Sequence, residues 1–135
     1  MTQYLSIEPL REPNDAGELD DAGRLMCEFG VVCLKRFSPS YLQELVAILV
    51  AAGVGVEGVT IFAGSKAVLP RTGAVLHVKP TGGVAPMGTH NDGAAAYRRP
   101  GAQLIAHAET WSSAEALAQA AYGALVAVRN RAVVA

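Results

Sequence analysis

Charge and cysteine are the scarce commodities of this 135-residue chain. Only 17% of its residues are charged and 51% are hydrophobic, a thin polar covering for a protein that exposes its whole surface, and one that suits contact with other subunits. The formal net charge is −1, which gives nucleic-acid binding no global support. No apolar run approaches the roughly 20 residues of a membrane span, and the polar, acidic start does not read as a signal peptide. The only cysteines are Cys27 and Cys33. Six positions apart in one strand they would stand about 20 Å from each other, too far for a disulfide, so buried, reduced thiols of a cytoplasmically made protein are expected.

What charge there is falls unevenly. Residues 1–28 carry seven acids and two bases, a net of −5, and the rest carries five acids and nine bases, a net of +4. Opposite signs on two parts of one small domain suit head-to-tail contact between copies; a solvated acidic turn accounts for the first part equally well.

The length fits one domain. Strands are expected at Thr2–Leu10, Arg24–Phe37, Val59–Phe62, Gly73–Pro80 and Ala102–Thr110, with a last one in "RAVVA". Gly30 suggests a bulge in the second of these, and the acidic, turn-rich "REPNDAGELDDAG" before it reads as a loop. A first helix follows, with Ser38 as N-cap, Pro39 at the first helical position, an apolar stripe of Leu42, Leu45, Val46 and Leu49, and Gly53 at its C-terminal end. A second begins near Ser112, whose spacing to Glu115 matches a capping box, and carries the stripe Leu117, Ala121, Leu125 and Val128. The fold expected is therefore α+β: a single domain with a mostly antiparallel mixed β-sheet and both helices on one face.

Familiar chemical patterns are missing or misplaced. "GVGVEG" (53–58) spells a dinucleotide fingerprint, but it follows a helix and opens a strand, the reverse of what phosphate binding needs. His77 and His107 sit mid-strand, and His90 with Asp92 has no further ligand nearby in sequence, short of the three or four a zinc site takes. There is no G-x-S-x-G elbow, and Ser65 lies in a short loop. Asp20 and Asp21 are adjacent carboxylates in an acidic turn and read as solvated. Tyr97 with Arg98 and Arg99 could touch a phosphate or a base, or form an interface rim, where Tyr and Arg are enriched. No catalytic, cofactor or metal residues are assigned. The segment Pro80–Gly101, dense in glycine and proline, reads as a loop that serves as an assembly surface, with a flexible loop of no role as the plain alternative.

Four segments, taken in order, resemble the bacteriophage tail terminator (tail completion, or minor capsid) family. They are "YLQELVAILVAAGVGVEGVTIFAGSKAVLP", "GAVLHVKPTGGVAP", "THN" and "YRRPGAQLIAHAETWSSAEALAQAAYGALVAVRN". His107 stands where relatives often carry arginine. The family continues past its second helix, whereas this chain runs to Ala135; yet residues 4–37, "YLSIEPLREPNDAGELDDAGRLMCEFGVVCLKRF", resemble the family's closing portion. Joining "RAVVA" to "MTQYLSIEPL" restores the usual order, so the chain looks circularly permuted, which requires its two ends to lie side by side in the sheet.

The resemblance implies a structural virion protein of the tail-neck region, made in the bacterial host cytoplasm. It would form a homo-hexameric ring that stops growth of the tail tube and meets a head–tail connector or stopper protein. Cofactors, membrane and specific nucleic acid have no place in that work. Expected interface residues are Gly82, Gly83, His90, Asn91, Asp92, Tyr97, Arg98 and Arg99 in the loop, with the acidic segment 12–21 of one copy, Asp20 and Asp21 included, facing bases such as Lys66, Arg71, Arg98 or Arg99 of the next. Another neck protein, a small enzyme or ligand-binding domain using the loop as a lid over His90, Asp92 and Arg98, and a cellular protein of the same fold remain as alternatives.

Overall fold

Alternation along two long segments builds the centre of the molecule. In the computed structural model, which describes residues 3–10, 12–36, 41–64, 68–81, 84–88, 95–128 and 131–133, strand β3 (Leu25–Arg36) pairs antiparallel with β8 (Gly101–Ala108) from Leu25↔Ala108 to Val32↔Gly101. Odd positions of β3 (Cys27, Phe29, Val31, Cys33) and even positions of β8 (Ala102, Leu104, Ala106, Ala108) are buried in one cluster, as period-two alternation requires. The remaining strands are β1 (Gln3–Pro9), β2 (Asn14–Leu19), β4 (Ile61–Ala63), β5 (Val75–Pro80), β6 (Val84–Gly88), β7 (Ala95–Arg99) and β9 (Arg131–Val133). The main sheet runs β4-β5-β8-β3-β1-β9; β4–β5 is parallel and the other pairs are antiparallel.

Helices α1 (Tyr41–Ala51) and α2 (Trp111–Val126) share that cluster with the sheet, α1 over β4 and β5, α2 over β1, β3 and β8. The chain is thus a single α+β domain with its core between the two helices and one face of the sheet. α1 ends as expected: Gly53 takes φ +77, and its N–H and that of Val54 close back on the carbonyls of Val50 and Leu49, a Schellman ending that a side chain would strain. Ser38 and Pro39 lie outside the described residues.

α2 starts two residues earlier than its capping-box spacing suggests. Thr110, extended at φ −122 and ψ 151, is the N-cap and accepts from the Ser113 N–H; β8 ends at Ala108, so the helix begins almost at once. Its buried stripe is Ala114, Ala118, Ala121 and Leu125, with Leu117 on the flank and Val128 buried past the last turn. Three small residues let α2 approach the sheet closely, and Tyr122 meets Phe29 edge to face at 5.4 Å. Gly123, on the exposed side, has open space where a Cβ would stand. Gly123→Ala should therefore raise stability by about 1 kcal/mol through helix propensity, measurable as a higher urea midpoint with an unchanged slope.

Three expectations need correcting. The acidic segment read as a loop contains β2, an edge strand on β3. Both its sides meet solvent or other polar groups, so it lacks the alternation by which buried strands are recognised, and Gly17 (φ +84) shifts its register. Gly30 is no bulge: pairing with β8 is continuous through it, and the space a side chain would fill is taken by Leu10, whose N–H bonds to the Gly30 carbonyl. Finally, the described residues of Pro80–Gly101 are largely strand. β6 and β7 pair with each other and prolong β5 and β8, and β7 also pairs with the end of β3. Pro86, Pro100 and the glycines mask a strand signal in sequence.

The ends of the chain are neighbours in the sheet. β9 pairs with β1 through Gln3↔Val133, Tyr4↔Ala132 and Leu5↔Arg131, as expected for strands at both ends.

Candidate functional site

β3 is the axis along which charge is sorted. Its twelve residues span about 36 Å. At its start lie β2 and the turn to β3, which hold Asp15, Glu18, Asp20 and Asp21, and the exposed Glu109 follows the β8 residue paired with Leu25. At its far end stand Lys35 and Arg36, with Arg98 and Tyr97 in register across from them on β7. On the other side of Lys35 the same row passes through Leu5 to Arg131. One end of the sheet is mainly acidic, with Arg24 and Arg71 set among its carboxylates, and the other is basic.

Asp20 organises the acidic end. Its side chain is 10% exposed and each oxygen is doubly engaged. Oδ1 accepts from the N–H groups of Ala22 and Arg24 (2.9 and 2.7 Å), and Oδ2 accepts from Arg24 Nε and His107 Nδ1 (both 2.8 Å). Arg24 also donates to the Gly73 carbonyl at 3.2 Å. One carboxylate thus ties the β2–β3 turn to β8 and, through Arg24, to the approach to β5. Burial alone would push the Asp20 carboxyl up, but the hydrogen bonds from the Arg24 backbone, His107 and the Arg24 side chain prevail and hold it at about 2. The reading of Asp20 as a solvated residue is corrected: the turn is polar, but its first aspartate is built in.

His107 receives the opposite treatment. Burial lowers its pKa below the usual histidine value, against the pull of Asp20. With Nδ1–H donating to an ionised Asp20, the ring is the neutral tautomer with a bare Nε2, and that buried nitrogen has no hydrogen-bond partner among the described residues.

Beside this cluster lies a cleft of about 640 Å³. Leu19, Met26, Val68 and Leu69 supply apolar lining, Arg24 and His107 are part of the wall, and Glu18, Asp21 and Arg71 contribute charge. Val68 is 88% exposed and Leu19 58%, so the apolar lip stands open to solvent.

The expected interface residues are distributed as follows. Asp20, Asp21 and Arg71 come together at the cleft. Arg71 donates to the Asp21 backbone carbonyl at 3.0 Å within the same copy, whereas the sequence reading paired them between copies. Tyr97, Arg98 and Arg99 lie on β7 at the other end. Gly82, Gly83, His90, Asn91, Asp92 and Lys66 fall outside the described residues, as does Ser65. Arg24 and His107 were missed as partners of Asp20. The spacing Asp20–Arg24 across a D-A-G turn was a usable signal for the first, and nothing in the sequence places β8 beside that turn. His77, the other strand histidine, donates to the Gly64 carbonyl at 2.6 Å, and Cys27 and Cys33 are both buried and not joined in a disulfide, as expected.

Among the described residues no group of three or more His, Cys, Asp or Glu is arranged to hold a metal ion, and no helix is long and apolar enough to cross a membrane. Compared with known proteins, the chain matches no family model, no curated protein and no solved structure.

Proposed function

We propose that this chain is a structural virion protein that assembles head to tail into a ring, caps the head-proximal end of a phage tail tube, ends its polymerisation and offers a face to the head connector. The observation that carries the proposal is the sorting of charge to opposite ends of one sheet. A protomer with one acidic and one basic end joins copies through two different surfaces, and such heterologous contacts close into rings when the rotation per copy allows. The sequence resemblance supplies the biological setting. The pairing of β1 with β9 supports the permuted order on which that resemblance depends, because ends that lie side by side can be joined and reopened elsewhere without disturbing the sheet.

The test is tube length by negative-stain electron microscopy. A cognate tail tube protein polymerised with this chain should give short tubes with a ring at one end; tubes of unchanged length with bare ends would overturn the terminator assignment in favour of a connector-side neck protein. The assembly chemistry is checked separately. Reversing Glu18 and Asp21 to lysine, which leaves the built-in Asp20 untouched, should shift the oligomer to monomer in light scattering, and the wild-type ring should weaken as salt rises. Assembly indifferent to both changes would refute the charge-sorted contact.

A further inference from the structure

The connection between α1 and β4 builds one wall of a groove. The Val56 carbonyl accepts from the N–H groups of Val59, Thr60 and Ile61 at 3.2, 2.9 and 3.0 Å, the Val56 N–H donates to Thr60 Oγ1 at 2.9 Å, and the Gly58 N–H donates to the Ile61 carbonyl. At Gly55 a side chain would strike Thr60 and Ile61. These bonds fix the wall in advance, so little entropy is lost in ordering it when a partner binds. The other wall is α1 itself, and the groove between them holds about 580 Å³. Its lining is apolar at Val46, Ala47, Val50, Ala51 and Val56; Gln43 and Glu57 are its polar members.

Shape and charge describe what fills it. α1 carries a single charged residue, Glu44, which is buried, and its exposed residues, Gln43, Val50 and Ala51, bear no charge. A helix that is apolar all round belongs inside a structure, yet Val50 and Val56, with Val59 on the same connection, stand exposed. Gln43–Ala47–Ala51 and Val46–Val50 are rows at i, i+4 spacing, the ridges between which a second helix packs, and the alanines let it come close. The electrostatics are of one sign. Glu57 is the charged residue of the lining, no base stands in the last turn of α1, and the carbonyl end of that helix adds its own partial negative charge.

We infer that the groove seats a basic amphipathic helix of another protein, its aliphatic stripe against Val46, Val50 and Val56 and its lysine or arginine side chains over Glu57 and the end of α1. A second copy is a poorer match. Most of the exposed large apolar residues among those described (Leu19, Val56, Val59, Val68 and Trp111) stand near carboxylates in sequence or at the cleft, and would bring acid to Glu57. The site is also separate from the acidic turn. The groove is on the helical side of the sheet, whereas the cleft is walled by Met26 and His107, which alternate with core residues of β3 and β8 and so belong to the opposite side. Groove and turn can therefore be occupied independently.

The test is fluorescence anisotropy with the full chain and a labelled peptide of about 18 residues, long enough to be helical, with leucine on one face and alanine and lysine on the other. A twin peptide carries glutamate in place of lysine. The lysine peptide should bind and its twin should not. Val50→Asp should weaken binding more than about tenfold although it adds an acid, because it puts a charge in the apolar seat. Glu57→Gln should weaken it about three- to fivefold. Glu18→Lys/Asp21→Lys, on the other side of the sheet, should change it less than about twofold in physiological salt. Val50 and Glu57 are exposed, so both variants should keep the urea midpoint of the wild type. Equal binding to wild type and Val50→Asp, or equal binding of the twin peptide, overturns the assignment. A wild type that ignores the lysine peptide overturns it too, and if its self-association is then lost in Val50→Asp, the occupant is a second copy.

Discussion

Asp20→Ala should cost about 3–5 kcal/mol of folding stability, the range for removing one member of a buried, hydrogen-bonded charge network. The substitution strands Arg24, leaves the Ala22 and Arg24 N–H groups of the turn without their acceptor, and deprives His107 Nδ1 of its partner. The loss should also change with pH. The carboxyl sits at about 2 in the fold against 3.8 for an unperturbed aspartate, so its contribution is complete above the unfolded value and disappears as pH falls through the folded one. That difference amounts to about 2 kcal/mol. Urea titrations from pH 5 to 2 should show the gap between wild type and variant narrowing by that amount; a constant gap would mean that the carboxylate is less tightly engaged than its four contacts indicate. His107 acts in the same direction at higher pH. Its folded pKa is depressed, so wild-type stability should begin to decline once pH falls below the ordinary histidine value of 6.5.

Phe29→Ala should be comparably damaging, at about 3–5 kcal/mol. Phe29 is among the largest fully buried side chains, lies on the central strand β3, faces Leu104 across the ladder, and carries the edge-to-face contact with Tyr122. Truncation leaves a hole that α2 cannot close, because its facing residues are alanines fixed by the helix backbone. Leu10→Ala is the matched control: Leu10 is 65% exposed, and its loss should stay within about 1 kcal/mol. Both are read by chemical denaturation with the single tryptophan, Trp111, as reporter. Equal effects would mean that the core does not centre on β3.

These two residues show where the sequence was readable. Phe29 lies in a segment whose alternation announces a half-buried strand, and the class of fold follows from such segments together with two capped, striped helices. Asp20 lies in a stretch that locally has every mark of a solvated turn. Its engagement depends on β8 arriving from almost ninety residues away, through a ladder that only the assembled sheet specifies. The same limitation hid β2 and the β6–β7 pair. Edge and arm strands bury little, so burial leaves no period in them, and glycine and proline then dominate the local signal. The charge asymmetry was plain as a count, but its meaning was not. Acids and bases at opposite ends of a chain can fold to the same place; here β3 carries them apart.

The pairing of β1 with β9 has a consequence for how the sheet is completed. β1 has one partner close in sequence, β3, and one, β9, on the far side of both helices and all the other strands. Until β9 docks, β1 can pair with β3 but presents a bare outer edge, and contacts of such long sequence separation are slow to form. The long, outer edge of β1 is therefore covered late, and by a strand of only three residues.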